Sequence, residues 1–245
     1  MNKSQLVIII VLFLIILTGV TYSFLWEKIK ETPLIESNER EVKDGEVKQY
    51  SSDGTLKTVV NYDNGVKQGF SYLLHNDGET ILLAMPYEQG KRQGTSRKYY
   101  ESGKVYAETN YQDDLLHGPR KVFYSSGKLK SVVNYFKGFP GLGTEEYLTS
   151  GSIKDNPKIN LLRKGDIIVL SVDNCKDVDF FVGRLINDQY FDYLSDQIKR
   201  LPKNDGQYFL NLNTYTPSYL KYQDIICSCE SSQGNPVILK KRLEL

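Results

Sequence analysis

Glycines recur along the first two thirds of the chain with a period of 24 or 25 residues. Each glycine ends a short polar segment, in the local sequences SSDG, HNDG, YESG, YSSG and LTSG. The five positions are Gly54, Gly78, Gly103, Gly127 and Gly151. A period of this length is typical of stacked supersecondary units that pack against their neighbours in sequence. Because such arrays present an extended surface instead of a buried pocket, the repeat favours a binding protein over an enzyme.

Tyrosines form a second lattice with the same period, and a glycine or aspartate follows each of them three residues later. The pairs are Tyr62 and Gly65, Tyr87 and Gly90, Tyr111 and Asp114, and Tyr135 and Gly138. From Leu56 to Tyr62, every second residue is apolar, aromatic or β-branched, and most of the residues between them are polar. This alternation predicts a half-buried strand. The same frame recurs before the other tyrosines, so strands are expected throughout the array.

Each period therefore predicts one β-hairpin, joined to the next by a wider turn such as NGVKQG. Glycine suits both turns because it adopts positive φ without steric cost. Four periods predict an antiparallel meander about 40 Å long. A ladder of large side chains is expected across it, at Tyr50, Leu74, Tyr99, Phe123 and Tyr147. In the second unit one extra residue separates Gly78 from Tyr87, and together with Pro86 it predicts a β-bulge in that strand.

The pattern Tyr-x-x-Gly-x-x-x-Gly resembles the MORN repeat, and more closely the bacterial MORN variant whose members are often labelled YwqK-type antitoxins. The pattern includes Tyr62, Gly65 and Gly69, and the resemblance covers residues 45 to 154. It implies an array of β-hairpins used for protein contacts or membrane association, with no catalytic residues. Asp114 departs from the pattern by replacing a turn glycine. Residues 138 to 143, GFPGLG, are expected to distort the last turn.

Residues 6 to 26 form a long uncharged stretch, LVIIIVLFLIILTGVTYSFLW. At a rise of about 1.5 Å per residue, this length just crosses a hydrocarbon core of about 30 Å. We therefore predict an uncleaved single-pass transmembrane anchor, with a cleaved signal peptide as the alternative. Lys3 favours a cytoplasmic N-terminus and an extracytoplasmic body, whereas Lys28 and Lys30 weaken that bias.

The polar segment from residue 27 to 44 is expected to be a stalk, followed by the repeats at residues 45 to 155. Acidic and basic residues are balanced: residues 40 to 155 contain 16 Lys and Arg against 15 Asp and Glu. Nucleic-acid binding needs a concentrated positive surface, so this balance argues against a nucleic-acid partner.

The repeat period ends near Pro157, and residues 156 to 245 are predicted to form a small β-rich sandwich or barrel domain. The apolar run at residues 166 to 172 indicates a buried strand. Further strand-like runs lie at residues 180 to 186, 208 to 212, 223 to 229 and 237 to 243. A helix is predicted at residues 190 to 201, because Tyr190, Leu194, Ile198 and Leu201 recur along one side. This half of the chain carries no recognised family motif.

Few residues have the spacing that catalysis or metal binding requires. His75 and His117 lie beside repeat turns, where a structural role is expected. Asp173, Asp177 and Asp179 surround Cys175 but lack the ligand spacing of an EF-hand calcium-binding loop. A solvated turn is therefore predicted. We therefore predict no catalytic residue, no cofactor and no metal site.

The three cysteines leave two alternatives open. Cys227 and Cys229 lie two residues apart on a predicted strand, which places both side chains on one face. Buried free thiols are the favoured interpretation. If the body is exported, Cys175 is expected to form a disulfide with Cys227 or Cys229, and one thiol is left over.

These observations predict a membrane-anchored, non-catalytic scaffold or adaptor that binds another protein. Aromatic and charged groups mix, as interfaces prefer, at five predicted partner-binding residues. They are Tyr99, Tyr100, Arg120, Phe123 and Tyr124. One alternative is an antitoxin or immunity protein that neutralises a toxin at the inner face of the membrane, and another is an enzyme housed in the C-terminal domain. An open sheet also leaves a surface that a second copy can cover, so a homodimer is a further candidate.

Overall fold

The computed structural model describes residues 42 to 215 and 221 to 245, which are mainly β-strand. The predicted transmembrane segment at residues 6 to 26 and nearly all of the predicted stalk lie outside the described residues. Within the described ranges, no helix is both long enough and apolar enough to cross a bilayer.

A single antiparallel sheet of 12 strands contains the repeats, which confirms the predicted hairpin array. In chain order the strands are β1 (Gly45–Tyr50), β2 (Leu56–Asp63), β3 (Val66–Lys67), β4 (Gly69–Leu74), β5 (Ile81–Glu88), β6 (Lys91–Arg92), β7 (Gly94–Tyr99), β8 (Val105–Gln112), β9 (Leu115–Phe123), β10 (Leu129–Phe136), β11 (Phe139–Pro140) and β12 (Glu145–Glu146). They lie side by side in the order β1-β2-β4-β5-β7-β8-β9-β10-β11. The short strands β3, β6 and β12 pair with β2, β5 and β10.

The repeat glycines close tight turns of one design. In the first turn, the Gly54 amide donates to the Ser51 carbonyl at 3.0 Å, and the Ser51 amide donates to the Thr55 carbonyl at 2.9 Å. Gly54 has a φ of 84°, which glycine adopts without the steric cost of a Cβ. The turns that end at Gly103, Gly127 and Gly151 have the same two hydrogen bonds.

The predicted β-bulge is present in β5, where Leu82 is unpaired between Ile81 and Leu83. The residue by which the second unit is longer does not form it, because the turn accommodates that residue. His75 donates its amide to the Thr80 carbonyl, five residues ahead instead of four. The Asp77 carboxylate accepts hydrogen bonds from the amide and the hydroxyl of Thr80, which holds the enlarged turn together. Because the turn absorbs the residue, the side chains of β5 keep their faces.

This β-bulge occurs at the same place in all four hairpins. In the first, Gln49 pairs with Thr58 and Tyr50 pairs with Leu56, which leaves Lys57 as the extra residue. The other three hairpins show the same register shift. The residues predicted to form a ladder therefore occupy equivalent register positions, and Tyr147 joins them through its bridge to Ile153.

The wider turns resolve into two-residue hairpin tips. Asn64 and Gly65 have φ angles of 49° and 81°, as a type I′ turn requires at both central positions. The Gly65 amide donates to the Lys43 carbonyl, just before β1, at 2.9 Å. The equivalent bonds run from Gly90 to Lys67, from Asp114 to Arg92 and from Gly138 to Leu116. Every tip is thereby bonded to the unit before it.

Asp114 keeps the turn conformation of the glycine that it replaces, with a φ of 69°. Its carboxylate accepts hydrogen bonds from the Arg92 amide at 2.9 Å and from Arg92 Nε at 3.1 Å. These bonds lower the pKa of Asp114, the backbone bond having the larger effect. The departure from the repeat pattern is therefore compensated by local hydrogen bonds.

Two four-stranded antiparallel sheets follow the array. The strands are β13 (Ile159–Lys164), β14 (Ile167–Val172), β15 (Cys175–Gly183), β16 (Ile198–Arg200), β17 (Lys203–Asn204), β18 (Gln207–Asn211), β19 (Tyr222–Ser231) and β20 (Pro236–Glu244). One sheet has the order β13-β14-β18-β17 and the other β16-β15-β19-β20. A short helix, α1 (Leu212–Tyr215), follows β18. Side chains from both sheets share one hydrophobic core, which includes Ile168, Leu210, Phe180 and Ile225. The result is a β-sandwich.

Residues 190 to 201 do not form the predicted helix. Tyr190 bridges to Gly141 and Ile186, while Ile198 belongs to β16 and pairs with Gly183. Leu194 is 75% exposed, so the supposed apolar side of the helix is not a packing surface. The apolar spacing reflects separate contacts made by an irregular segment, and tertiary pairing overrides the local pattern.

A disulfide joins Cys175 at the start of β15 to Cys229 in β19, with the Cα atoms 5.8 Å apart. The favoured expectation of free thiols is therefore wrong for these two residues. Cys227 is a free thiol and fully buried, and it packs in the same core as Cys229. Burial, with a smaller effect from Asp179, raises the pKa of Cys227 to about 12, which keeps this thiol protonated at neutral pH.

Residues 138 to 143 connect the last repeat to the sandwich. The prediction that this segment distorts the last turn is wrong. The Gly138 tip keeps its bond to Leu116, and Gly141 repeats the backbone bond that Gln68 makes in the first unit. The chain leaves the repeat pattern at Leu142, whose side chain packs against a cluster that includes Ile226 and Ile238 of the sandwich. The preceding residue has no room for a side chain, because a Cβ on Gly141 would lie 2.9 Å from the ring of Tyr190.

A buried carboxylate completes this junction. Glu146 is 5% exposed and accepts hydrogen bonds from the Ser231 hydroxyl and from Asn235 Nδ2, the latter at 2.7 Å. Lys154 Nζ lies 3.1 Å from the same carboxylate. Burial acts to raise the pKa of Glu146, but the hydrogen bonds outweigh it and the pKa is lowered.

We expect Glu146→Gln to lower the free energy of unfolding by about 1–3 kcal/mol, because a buried hydrogen-bonded charge is removed. The folded-state pKa of Glu146 lies below its ordinary value of 4.5. Its stabilisation is therefore complete above pH about 4.5 and is lost as the pH falls through the folded-state pKa. Urea denaturation at several pH values should show the gap between wild type and variant shrinking on acidification. Glu88→Gln, at an exposed position, is the control, and an equal loss in both variants would contradict the assignment.

Thiol titration tests the cysteine pairing. In denaturant without reductant, one thiol per chain should react, and reduction should expose all three. The mass of the disulfide-linked peptides should identify Cys175 and Cys229 as the pair. A linkage through Cys227 would contradict the observed arrangement.

Candidate protein-interaction surface

Four of the five predicted partner-binding residues lie together at the tight-turn edge of the repeat sheet. Tyr99 ends β7 and Phe123 ends β9, and each precedes a turn that begins with a second tyrosine. These second tyrosines, Tyr100 and Tyr124, lie one repeat period apart. Neighbouring hairpins stack in register, so the four residues lie in adjacent units of the same edge. Successive residues of a strand point to opposite faces, so Tyr99 and Phe123 lie on one face of the sheet and the two turn tyrosines on the other.

Hydroxyl bonds hold the two turn tyrosines in place. Tyr100 donates its hydroxyl to the Phe123 carbonyl at 2.8 Å, and Tyr124 donates to the Tyr147 carbonyl at 2.7 Å. Each bond reaches the following hairpin. Burial, followed by the influence of Tyr106, raises the pKa of Tyr100, so its hydroxyl remains a donor at neutral pH. The rings are thus presented on a fixed framework.

Further aromatic and cationic groups extend this edge. The rings of Tyr100 and Tyr106 meet edge to face, with centroids 5.2 Å apart. Lys98 lies over the Tyr106 ring at 5.4 Å, and Lys130 lies over the Tyr124 ring at 5.8 Å. Neither lysine has a salt bridge to a carboxylate of the described residues. We call this surface the aromatic patch; its members are Lys98, Tyr100, Tyr106, Tyr124 and Lys130.

Arg120 lies apart from the aromatic patch. It is in the middle of β9, where it pairs with Thr109 of β8 and Val133 of β10. Phe123 lies three positions further along the strand, a distance of about 10 Å. Tyr106, Lys98 and Lys130, by contrast, were missed in the sequence. Their signal was present in the repeat, since Tyr106 and Lys130 occupy the bulge position that Lys57 holds in the first hairpin.

The residues considered for chemistry do not converge on a reactive site. The Asp179 carboxylate accepts hydrogen bonds from Arg200 and from the Tyr208 hydroxyl, whereas Asp173 accepts one from Asn160. The His117 ring packs against Phe136 with centroids 5.2 Å apart. Among the residues that the structure describes, no group of His, Cys, Asp and Glu has the geometry to hold a metal ion.

A cavity of about 860 Å³ opens between the two sheets of the sandwich. Leu170, Phe180 and Tyr208 line it, and Asp179 and Arg200 lie at its charged side. These two charged groups form a salt bridge with each other.

Comparison with known families identifies the repeat. Three segments, residues 43–64, 92–113 and 116–137, match the model of the MORN repeat variant. The resemblance to MORN repeats is thereby confirmed for these units, and repeats of this kind generally serve in protein interaction or membrane binding. None of the three segments covers the second unit, whose turn contains the extra residue. No curated protein matches the chain.

We expect Tyr100→Phe to lower the free energy of unfolding by about 1 kcal/mol, because the substitution removes the bond to Phe123 and leaves the ring. Tyr50→Phe is the matched control, since Tyr50 is 60% exposed at the equivalent edge of the first hairpin. Chemical denaturation of both variants measures the difference. Equal stabilities would mean that the Tyr100 hydroxyl does not hold the turn.

Proposed function

We propose that this protein is a membrane-anchored, non-catalytic scaffold whose repeat array binds another protein through the aromatic patch. The observation that carries the proposal is the patch itself, where fixed aromatic rings lie beside lysines that have no carboxylate partner within residues 42 to 215 and 221 to 245. Aromatic residues held by a rigid framework lose little entropy on binding and are enriched at interface centres.

The charges of the patch favour a partner with carboxylates beside apolar groups. Lys98 and Lys130 present positive charge over aromatic faces, so an acidic side chain of the partner would contact both the ammonium group and the ring edge. Arg120 lies outside this surface.

An extracytoplasmic body agrees best with the cysteine chemistry. Disulfides persist in oxidising compartments and are rare in the cytosol, and Cys175 is bonded to Cys229. The apolar segment at residues 6 to 26 would supply the anchor. The same disulfide argues against an antitoxin acting at the inner face of the membrane, which would need a cytoplasmic body.

A topology reporter at Leu245 tests the location of the body. A reporter active only outside the cytoplasm should give signal, and a cytoplasm-active reporter at the same position should not. The reverse result would refute the extracytoplasmic placement and bring the antitoxin hypothesis forward.

Partner binding is tested by a photo-crosslinking residue at Tyr106, followed by mass spectrometry of the captured protein. For the captured partner, Tyr100→Ala together with Tyr124→Ala should weaken affinity at least tenfold, because both ring anchors are lost. Tyr193→Ala with Leu194→Ala is the control, since these side chains are 65% and 75% exposed on the sandwich. Unchanged affinity of the Tyr100 and Tyr124 variant, with its fold intact, would rule out the aromatic patch.

A further inference from the structure

The two ends of the repeat sheet differ. At the C-terminal end, Gly141 and Leu142 bridge to the sandwich and close the array. At the N-terminal end, β1 pairs with β2 on one side, and no strand of the described residues pairs with its other side. This second side, the β1 edge, is six residues long, and five of those residues are exposed.

Alternation along β1 determines which backbone groups face outward. The Lys43 carbonyl accepts a bond from Gly65, and the Ser51 amide donates to Thr55, so residues 43 and 51 face the hairpin interior. The intervening odd-numbered residues face β2 in the same way, because backbone groups alternate along a strand. The amides and carbonyls of Glu46, Lys48 and Tyr50 therefore point away from the sheet.

The charges of β1 are self-complementary in one antiparallel register. A register centred on Val47 places Glu46 opposite Lys48 of a second copy, and Lys48 opposite its Glu46. Both are outward-facing residues, so each pair can exchange two backbone hydrogen bonds. Shifting the centre to Glu46 or to Lys48 would place like charges opposite each other, which is destabilising.

The side chains on the axis of this register also match. Val47 pairs with Val60 and lies on the same face of the sheet. In the register centred on Val47, the two copies would join these residues into one apolar row. The row would remove half-exposed valine side chains from water on both sides of the axis.

We propose that two copies of this chain associate by antiparallel pairing of their β1 strands, centred on Val47. The pairing joins the two repeat arrays into one continuous sheet with twofold symmetry. It leaves the aromatic patch of each copy free, so the two surfaces serve different partners.

Cysteine cross-linking of the full-length chain in detergent micelles tests the register. In a non-hydrogen-bonded antiparallel pair the Cα atoms lie about 4.5 Å apart, within disulfide reach. Val47→Cys should therefore give a covalent dimer on mild oxidation. Gln49→Cys is the matched control, because the two copies of that residue would lie about 13 Å apart. We expect at least ten times more cross-linked dimer from Val47→Cys, and Cys227 does not interfere because it is buried.

Charge variants give an independent readout by analytical ultracentrifugation. Glu46→Lys should weaken the dimer at least tenfold, and adding Lys48→Glu should restore it, because the exchanged pair is again complementary. A chain that is monomeric at tens of micromolar would overturn the proposal. So would equal cross-linking at both positions, or a dimer that is insensitive to Glu46→Lys, since each would place the contact elsewhere.

Discussion

The hydrogen bond from each hairpin tip to the unit before it is the interaction on which the array depends. A single-layer sheet has little core of its own, so its units must be held together by contacts between neighbours. The tip amide of Gly65, for example, reaches the Lys43 carbonyl across the strand boundary. The lysine that supplies this carbonyl also lies over the Tyr62 ring, at 5.6 Å. Lys43 thus contacts the following unit both through its backbone carbonyl and through its side chain.

This pairing of tip and cation explains the tyrosine lattice. Lys67 lies over Tyr87 at 4.8 Å, and Arg92 lies over Tyr111 at 4.6 Å. A cation–π contact of this kind contributes about 0.5–1 kcal/mol at an exposed site. In the last unit Leu116 replaces the cation, and the neighbouring Tyr135 is half-buried. Burial raises the pKa of Tyr135, in keeping with the change from a solvated to a packed environment near the sandwich.

The hairpin array could be predicted because it depends on local sequence patterns. Features that depend on contacts between distant residues could not be predicted. The glycine and tyrosine lattices indicated hairpins because positive φ and alternation are local properties, readable from spacing alone. The extra residue of the second unit was misplaced because a turn and a strand can both absorb an insertion, and only the His75 to Thr80 bond distinguishes them. The pairing of Cys175 with Cys229 depends on the register of β15 and β19, which no local pattern specifies.

The candidate site shows the same division. Tyr100 and Tyr124 were found because they recur with the repeat, whereas Tyr106 and Lys130 were missed because the bulge that places them depends on pairing between strands. Arg120 was grouped with them by closeness in sequence, although a strand carries it about 10 Å away.

The sandwich and the β1 edge together determine how the array can grow. Glu146 and Leu142 bond and pack against the β19 and β20 hairpin, so a further repeat has no free edge there. The turn of that hairpin repeats the design of the tight turns, with the Gly234 amide bonded to Ser231 and the Ser231 amide bonded to Asn235. The sandwich therefore meets the last repeat with a turn built like those of the array. Since that end is closed, strand pairing of the array itself is directed to β1. Through its repeat sheet, an array with one closed end forms a pair and not a filament, because the contact that joins two copies uses the open edge of each repeat sheet.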